Sequence, residues 1–200
     1  MDQKGRQNDM NSFFALLFRQ KYIQRWGLMR STTPESLSEH TTEAAIIAHA
    51  LALIGNTYFG KSYDPDRVAT LALFHDATEV LTGDLPTPIK YFSPQMRHDY
   101  RLIEAQAAEK LLSKLPEELR EPYRTLLTPA DDDEASAALV KVADKLCAYI
   151  KCITEEAAGN REFLSARRSI EADLDKMKCE ELAYFREHLL DGFSLTIDEM

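Results

Sequence analysis

The sequence lacks the features that would assign the protein to several large classes. No apolar run approaches the roughly 20 residues that a membrane-spanning helix needs. Seven glycines and eight prolines in 200 residues are too few for a collagen-like or low-complexity chain. The polar N-terminal stretch MDQKGRQNDMNS has no apolar core typical of a signal peptide. We therefore expect a globular protein that has no membrane partner.

Cysteine is scarce, with three residues, Cys147, Cys152 and Cys179, and no CxxC pair. Cys147 and Cys152 are five positions apart on a predicted helix, about 140° around its axis, so they cannot form a disulfide within it. The odd number of thiols is consistent with a reducing compartment. The sequence therefore predicts a cytoplasmic protein with free cysteines.

Positive charge is also in short supply, because 24 Lys and Arg stand against 33 Asp and Glu and give a formal net charge of −9. Binding an extended nucleic acid releases counterions only where cations are clustered. The balance therefore argues against a nucleic-acid polymer as partner. A small anion remains compatible, because it needs only a local positive site.

Apolar residues recur with helical spacing, and no segment alternates with period two for long. The predicted helices cover 12–26, 37–55, the string from Pro65 through VATLALFHDATEV, Pro94 to about Leu115, 135–158 and 162–189. We predict an all-α protein with a single domain, a helical bundle of six or seven helices over residues 12–200. Residues 1–11 are predicted to be a flexible tail.

Local sequence signals set the predicted helix starts. Ser36 stands three positions before Glu39, a capping box, and Asp64-Pro65 and Ser93-Pro94 each combine a capping side chain with proline at the first helical position.

Glycine and proline set the predicted breaks. Gly55-Asn56 and Gly159-Asn160 are predicted to end helices. The string TGDLPTP is predicted to be a stiff loop, and Pro116, Pro122 and Pro129 are predicted to limit their stretch to short helical turns.

Four residues are candidates for a metal site: His40, the adjacent His75-Asp76, and Asp144. These residue types rarely lie inside helices that face a core unless they are paired or bind a metal. Two imidazoles and two carboxylates suit a divalent ion such as Mn, Co, Fe, Ni or Zn. From the spacing alone an ordinary interpretation stays open, in which the histidines donate to carbonyls and Asp144 pairs with Lys141 or Lys145.

The surrounding strings resemble a known family. SLSEHT, ALFHDATEVLTGDLPTPIKYF and VKVADKLCAYIKC match the HD-domain phosphohydrolases, which are all-helical metal enzymes. With RWGLMR, EEAAGN and EFL, the chain resembles more narrowly the bacterial HD-domain 5′-deoxynucleotidases, over about residues 13–198. That resemblance implies a metal-dependent hydrolysis of deoxyribonucleoside 5′-monophosphates to deoxynucleosides and phosphate, with a metal-activated water attacking phosphorus.

The same resemblance implies the site residues. The metal ligands are His40, His75, Asp76 and Asp144, holding one divalent ion such as Mn or Co, and His40, Asp76 and Asp144 also contact the substrate. Arg25 orients the phosphate, Trp26 lies near the sugar, and Glu79 is the partner of the attacking water, so that Glu79, Arg25 and Asp76 form the catalytic set. Asp84 with Leu85, Pro86 and Thr87 completes the substrate site, and the family suggests a homodimer.

Physical arguments support these roles but leave alternatives. Glu79 follows His75 by four residues, so on a continuous helix it would share a face with a ligand; otherwise it is a solvated charge near a helix end. Arg25 offers a fork of donors for phosphate, although an isolated Arg more commonly forms a surface ion pair. Lys90 is a second candidate cation. Trp26 is either a wall beside the sugar 2′ carbon or a core anchor, and Asp84 either binds a sugar hydroxyl or caps the Gly83 turn.

Two other functions remain open at this stage. One is an HD hydrolase of another nucleotide phosphate, such as guanosine tetraphosphate or a nucleoside triphosphate. The other is a non-catalytic nucleotide-binding helical protein. The remaining histidines are not expected to join the metal site: His49 faces the opposite side of its helix, His98 lies in a charged stretch, and His188 lies in a last helical turn.

Overall fold

The computed structural model describes residues 11–90, 92–129 and 133–200, and over these ranges it contains α-helices and no β-strand. The helices are α1 (Phe13–Leu17), α2 (Leu37–Tyr58), α3 (Pro65–Phe74), α4 (Glu79–Thr82), α5 (Thr87–Lys90), α6 (Pro94–Leu112), α7 (Glu117–Leu127), α8 (Glu134–Ala157), α9 (Leu164–Leu174) and α10 (Glu180–His188). The all-α prediction is confirmed. Except for Asn11, the predicted tail lies outside the described residues.

The helix starts that carried capping signals form as predicted. The Ser36 side chain accepts from the backbone N–H of Glu39, and the Glu39 side chain accepts in return from the backbone N–H of Ser36. Asp64 caps α3 and Ser93 caps α6, each followed by proline at the start of the helix. These side chains satisfy amide groups that have no partner inside the helix.

The predicted end of α2 at Gly55-Asn56 is wrong, because the helix continues to Tyr58. Gly55 is needed there for close packing. A Cβ at Gly55 would lie 2.6 Å from Cε2 of Tyr63 and 2.8 Å from Oε1 of Glu181. The glycine therefore marks the approach of a neighbouring chain segment rather than a helix end.

The predicted first helix, 12–26, is too long. Helix α1 ends at Leu17, a 3-10 turn covers Phe18–Tyr22, and Gln24 then forms an isolated antiparallel bridge with Ser36. The chain is extended at this bridge because it pairs with the residues that lead into α2. Arg25 and Trp26 therefore lie on a loop beside the start of α2.

The helix predicted to run through HDATE is also interrupted. Helix α3 ends at Phe74, residues 75–78 form a turn, and α4 begins at Glu79. Gly83 then adopts a positive φ of 75°, and the predicted stiff loop that follows passes directly into α5 at Thr87. His75 and Glu79 therefore do not lie on one continuous helix.

Two further predictions are corrected in the C-terminal half. Pro122 lies inside α7, an 11-residue helix where only short turns were predicted. The predicted last helix, 162–189, consists of a 3-10 turn at Arg161–Phe163, then α9 and α10. The break between α9 and α10 places Glu181 at 3.2 Å from the hydroxyl of Tyr63, so that α10 packs against α2.

Helices α2, α3 and α8 pack against one another and contain most of the buried apolar side chains. A smaller cluster joins Phe13 of α1 to Ala77, to Leu111 and Leu112 at the end of α6, and to Leu115 in the turn that follows. Among the described residues, no helix combines the length and the apolar character that crossing a bilayer requires.

Candidate active site

The three central helices bring the four predicted metal ligands together. His40 lies in the second turn of α2, His75 and Asp76 follow the last residue of α3, and Asp144 lies in the middle of α8. Nε2 of His40 is 3.1 Å from Oδ1 of Asp144 and 3.7 Å from Oδ2 of Asp76. Nε2 of His75 is 3.0 Å from Oδ2 of Asp76 and 3.9 Å from Oδ1 of Asp144.

The arrangement of these nitrogen and oxygen atoms suits a bound cation better than it suits hydrogen bonds between the imidazoles and the carboxylates. Both Nε2 atoms are buried, and neither has a hydrogen-bond partner among the described residues despite the short distances to the carboxylates. Nδ1 of His75 donates to the carbonyl oxygen of Ala72 at 2.6 Å, which leaves the lone pair on Nε2 free for a metal. Ligand atoms of His40, His75 and Asp144 all lie within 4.8 Å of one another. This donor set can hold a divalent metal ion.

The electrostatics of the cluster also favour a positive charge. Burial alone would lower the pKa of His75, but the carboxylates of Asp76 and Asp144 raise it to about 9. Burial alone would raise the pKa of Asp144, but the neighbouring imidazoles of His40 and His75 lower it below its ordinary value. The site therefore stabilises both an extra proton and the ionised carboxylates, as expected where a cation binds.

Arg25 reaches this cluster from the loop that precedes α2. Its Nη1 atom is 3.6 Å from Oδ2 of Asp76, and its Nε–H donates to Oε1 of Glu35 at 3.0 Å. The guanidinium is mostly buried, with a side chain that is 12% exposed. Burial alone would lower the pKa of Arg25, but the charges of Asp144, Glu35 and Asp76 outweigh burial and raise the pKa above its ordinary value. The surface ion pair considered as the alternative is therefore not what forms.

Trp26, the single tryptophan, lies half-buried beside Arg25. Its Nε1–H donates to Oε2 of Glu35 at 2.9 Å, and its ring packs against Phe163 with centroids 5.2 Å apart. Its backbone φ is +59°, in the left-handed region that side chains other than glycine rarely adopt. Surrounding contacts hold Trp26 in this strained conformation.

Glu35 is the residue of this site that the sequence interpretation missed. It is 8% exposed, and it binds both Arg25 and Trp26. The available signal was its position directly before the cap residue Ser36. That signal is weak, because an acid before a helix is normally solvated.

Glu79 and Asp84 lie on the side of the cluster formed by α4 and the following loop. Burial and the charges of Asp76 and Asp84 raise the pKa of Glu79 to about 9. Its Oε2 atom is buried and has no partner in the described part of the chain. Burial also raises the pKa of Asp84, while Arg25 opposes that change. Glu79 is thus a buried acid, and the interpretation as a solvated charge is wrong.

The remaining predicted substrate residues are less closely connected to this cluster. Leu85 and Pro86 are half-buried after Asp84, and Thr87 is exposed at the start of α5. Lys90, considered as a second cation, pairs with Glu104 at 3.0 Å and lies over the Tyr100 ring. Contact of Leu85, Pro86 and Thr87 with a substrate stays a prediction.

The histidines expected to lie outside the site do so. His49 approaches Asp66 at 3.9 Å, His98 is exposed on α6, and His188 is exposed at the end of α10. The cysteines are free, as predicted, and Cys147 and Cys152 are buried.

Comparison with known proteins identifies close relatives. A family model described as 5′-deoxynucleotidase YfbR-like matches residues 12–193. A 5′-deoxynucleotidase of Vibrio cholerae is 50% identical over 188 residues, which cover 94% of this chain and 97% of that protein.

Solved structures share the fold at lower identity. An HD-domain phosphohydrolase from Listeria innocua superposes with a TM-score of 0.79 at 21% identity, over 91% of this chain and 88% of that chain. An HD phosphohydrolase of cyanophage S-2L, bound to dA and one catalytic Zn²⁺ ion, gives a TM-score of 0.63 at 18% identity, over 89% of this chain and 96% of that chain. The helical arrangement is thus that of HD-domain proteins.

Proposed function

The chain belongs to the YfbR-like 5′-deoxynucleotidase family, and from this premise we propose how its residues hydrolyse deoxyribonucleoside 5′-monophosphates to deoxynucleosides and phosphate. It is a phosphoric monoester hydrolase, as its relatives are. The observation that carries the proposal is the convergence of unpartnered His40 and His75 nitrogens with two carboxylates beside the buried guanidinium of Arg25.

His40, His75, Asp76 and Asp144 would hold one divalent metal ion, with Mn and Co as candidates. Such an ion polarises a phosphoryl oxygen and lowers the pKa of bound water. The single Zn²⁺ of the cyanophage neighbour supports a site for one ion. The described residues offer no additional histidine at this cluster for a second ion.

Arg25 binds the substrate phosphate. Its Nε atom is already held by Glu35, so the guanidinium is fixed with Nη1 facing the ligand set near Asp76. A planar guanidinium offers further N–H donors in a geometry that matches phosphate oxygens. The buried position strengthens this interaction, because water screens it less.

Glu79 transfers the proton. Water forms a new bond to phosphorus and the bond between phosphorus and the 5′ oxygen breaks. Oε2 of Glu79 accepts the proton from the water, and the same proton then passes to the 5′ oxygen of the leaving deoxynucleoside. A carboxyl group can make both transfers, and a divalent ion held by the adjacent ligands would oppose the effect of burial on the pKa of Glu79 and favour its ionised form before the first transfer.

Trp26 and Asp84 bind the sugar. The indole forms a wall that excludes a 2′-hydroxyl by contact and by loss of its hydration, and Asp84 accepts a hydrogen bond from the 3′-hydroxyl. Leu85, Pro86 and Thr87 continue this side of the site. The raised pKa of Asp84 reflects partial burial, which suits a group that is covered when substrate binds.

The experiment that tests the function is phosphate release by the purified protein. Paired deoxyribo- and ribonucleoside 5′-monophosphates are offered with Mn²⁺, Co²⁺, Zn²⁺ or Mg²⁺, alongside di- and triphosphates and guanosine tetraphosphate. We expect orthophosphate from deoxyribonucleoside monophosphates. Release of pyrophosphate or triphosphate instead would favour another HD hydrolase.

An Asp144→Asn variant tests the metal site, because it keeps the side-chain volume and removes one charged ligand. We expect it to bind metal more weakly and to lose about 10³-fold in kcat/KM, consistent with several kcal/mol of charge stabilisation from a bound ion. Equal activity and equal metal affinity in both proteins would contradict the assignment of Asp144 as a ligand. No bound metal and no phosphate release in either protein would favour a nucleotide-binding protein.

The homodimer and the cytoplasmic location stay predictions. Light scattering of the purified protein measures the oligomeric state. Binding of single- and double-stranded DNA oligomers, measured by fluorescence anisotropy, tests the prediction that nucleic-acid polymers are not partners. We expect no saturable binding at physiological salt, because the chain is acidic.

A further inference from the structure

We infer that Glu35 is a positioning residue that connects the metal ligand His40 to Arg25 and Trp26, so that one carboxylate sets the orientation of groups for the metal, the phosphate and the sugar. The inference rests on the proposed function. It concerns a residue that neither the motif nor the ligand set includes.

The backbone places Glu35 at the centre of the site. The N–H of Arg25 donates to the carbonyl of Glu35 at 2.9 Å, and the N–H of Leu37 donates to the carbonyl of Ile23 at 2.9 Å. This antiparallel pairing fixes the loop before α2 against the first turn of the helix. The carboxylate of Glu35 therefore projects toward His40, one turn further along the chain.

Two side chains donate to different oxygens of this carboxylate. Arg25 Nε–H donates to Oε1 at 3.0 Å, and Trp26 Nε1–H donates to Oε2 at 2.9 Å. The two bonds fix the plane of the guanidinium and that of the indole relative to each other. They also hold the strained backbone of Trp26, whose φ is +59°.

The third group is the imidazole of His40. Its Nδ1 atom is fully buried, has no hydrogen-bond partner among the described residues, and lies 3.5 Å from Oε1 of Glu35. A histidine that binds metal through Nε2 normally donates its other N–H to a carboxylate or carbonyl, and such contacts often shorten when the site is loaded. Glu35 is placed to accept this proton from His40, as the Ala72 carbonyl accepts from His75.

The number of donors explains why a carboxylate is required. Three N–H groups converge on two oxygens that offer four lone pairs, so an ionised glutamate can accept from all three. A glutamine has one oxygen and an NH₂ group that is itself a donor. In Glu35→Gln, at least one of the three N–H groups would therefore point at the NH₂ group of the glutamine, which cannot accept a hydrogen bond.

The test compares Glu35→Gln with the wild type and with Glu39→Gln. Glu39 lies one turn along the chain and belongs to the capping box of α2, so its substitution disturbs the same helix start without touching Arg25 or Trp26. Any effect of local destabilisation alone will therefore occur in both variants.

Three measurements are made. Trp26 is the single tryptophan, so fluorescence of the metal-free protein reports on its indole alone. We expect greater acrylamide quenching in Glu35→Gln, Mn²⁺ or Co²⁺ binding that is roughly 10-fold weaker by calorimetry, and a kcat/KM ratio for deoxyribo- over ribonucleotides that falls roughly 10-fold. In Glu39→Gln we expect these three quantities to match the wild type.

Wild-type quenching, metal affinity and selectivity in Glu35→Gln would overturn the inference, as would equal changes in Glu39→Gln.

If Glu35→Gln does not fold, Trp26→Phe is used, since it deletes the indole N–H and leaves Glu35 and His40 in place. We then expect the same loss of selectivity with metal affinity within about twofold of wild type, and unchanged selectivity would overturn the inference. If the wild type releases no phosphate, the proposed function fails, while quenching and metal affinity still decide the role of Glu35.

Discussion

The indole of Trp26 lies against the ring of Phe163, with centroids 5.2 Å apart and planes inclined by 59°. Phe163 is fully buried after the end of α8, so it forms a rigid support behind the indole. A wall built from two rings resists displacement better than a single side chain at a surface. This packing suits discrimination between sugars that differ by one hydroxyl group.

Replacing Trp26 by alanine should relax that discrimination. We expect the ratio of kcat/KM values for deoxyribo- over ribonucleoside 5′-monophosphates to fall by roughly 10-fold or more, the range for a pocket that rejects a group of this size. Steady-state kinetics with dAMP and AMP measures it. Phe163→Leu should give a smaller fall, because the indole remains but loses its support. An unchanged ratio in Trp26→Ala would show that the wall does not select the sugar.

Replacing Glu79 by glutamine should lower kcat by about 10²–10⁴-fold, the usual contribution of a positioned general base or acid. KM and metal affinity should change little, because Glu79 is not among the predicted ligands. Single-turnover kinetics measures the rate of the chemical step, and calorimetry measures metal affinity. Glu162→Gln, which removes a carboxylate that pairs with exposed Arg30, should keep wild-type kcat. A wild-type kcat in Glu79→Gln would show that a group other than Glu79 transfers the proton.

Gly55→Ala should destabilise the protein by about 1–3 kcal/mol, although alanine normally favours a helix. The reason is the 2.6 Å approach of the new Cβ to the Tyr63 ring. Urea unfolding measures the change. In a Tyr63→Ala background the contacts with the ring are removed and only the carboxylate of Glu181, the end of a flexible side chain, stays close to the new Cβ, so the same substitution should cost less. Destabilisation of equal size in both backgrounds would contradict the packing argument.

Glu155 fixes the loop that carries Arg25 and Trp26 to the end of α8. It is 2% exposed and accepts from the backbone N–H groups of Thr32 and Thr33 and from the side chains of Lys151 and Asn160. Burial alone would raise the pKa of Glu155, but these donors lower it well below its ordinary value. Ionised Glu155 therefore stabilises the folded state.

This contribution should depend on pH with a defined sign. The folded pKa lies below the unfolded value of 4.5, so the stabilisation is complete above that pH and is lost as pH falls toward the folded pKa. Glu155→Gln should cost about 2 kcal/mol at pH 7, as for a hydrogen-bonded charge. The difference in the free energy of unfolding between wild type and variant should become smaller below pH 4.5, as measured by urea unfolding. Parallel pH curves would contradict the prediction.

The sequence predicts helix starts better than helix ends. Ser36, Asp64 and Ser93 act through side-chain bonds to amides two or three residues away, so the signal is local. Gly55 and Pro122 carry the usual signals of a break, yet both lie inside helices. Whether a glycine ends a helix or admits a neighbour depends on residues far along the chain, here Tyr63 and Glu181, which no local pattern reveals.

The same limit applies to the site. His40, His75, Asp76 and Asp144 are recognisable because polar residues of these types stand out in apolar helices and in a known motif. Glu35 carries no such contrast in a polar loop. Its partners Arg25 and Trp26 precede it by ten and nine positions, and they meet it because Gln24 pairs with Ser36. That pairing is a tertiary feature of an otherwise helical chain.

The end of α3 at Phe74 has an electrostatic consequence for the cluster that follows it. A helix directs the negative end of its aligned peptide dipoles toward its C-terminus, where the last carbonyl groups lack partners within the helix. His75 and Asp76 follow this terminus directly, and the Ala72 carbonyl is already bound to the imidazole. The peptide backbone therefore adds to the attraction for a cation, in an amount that no count of acidic residues records.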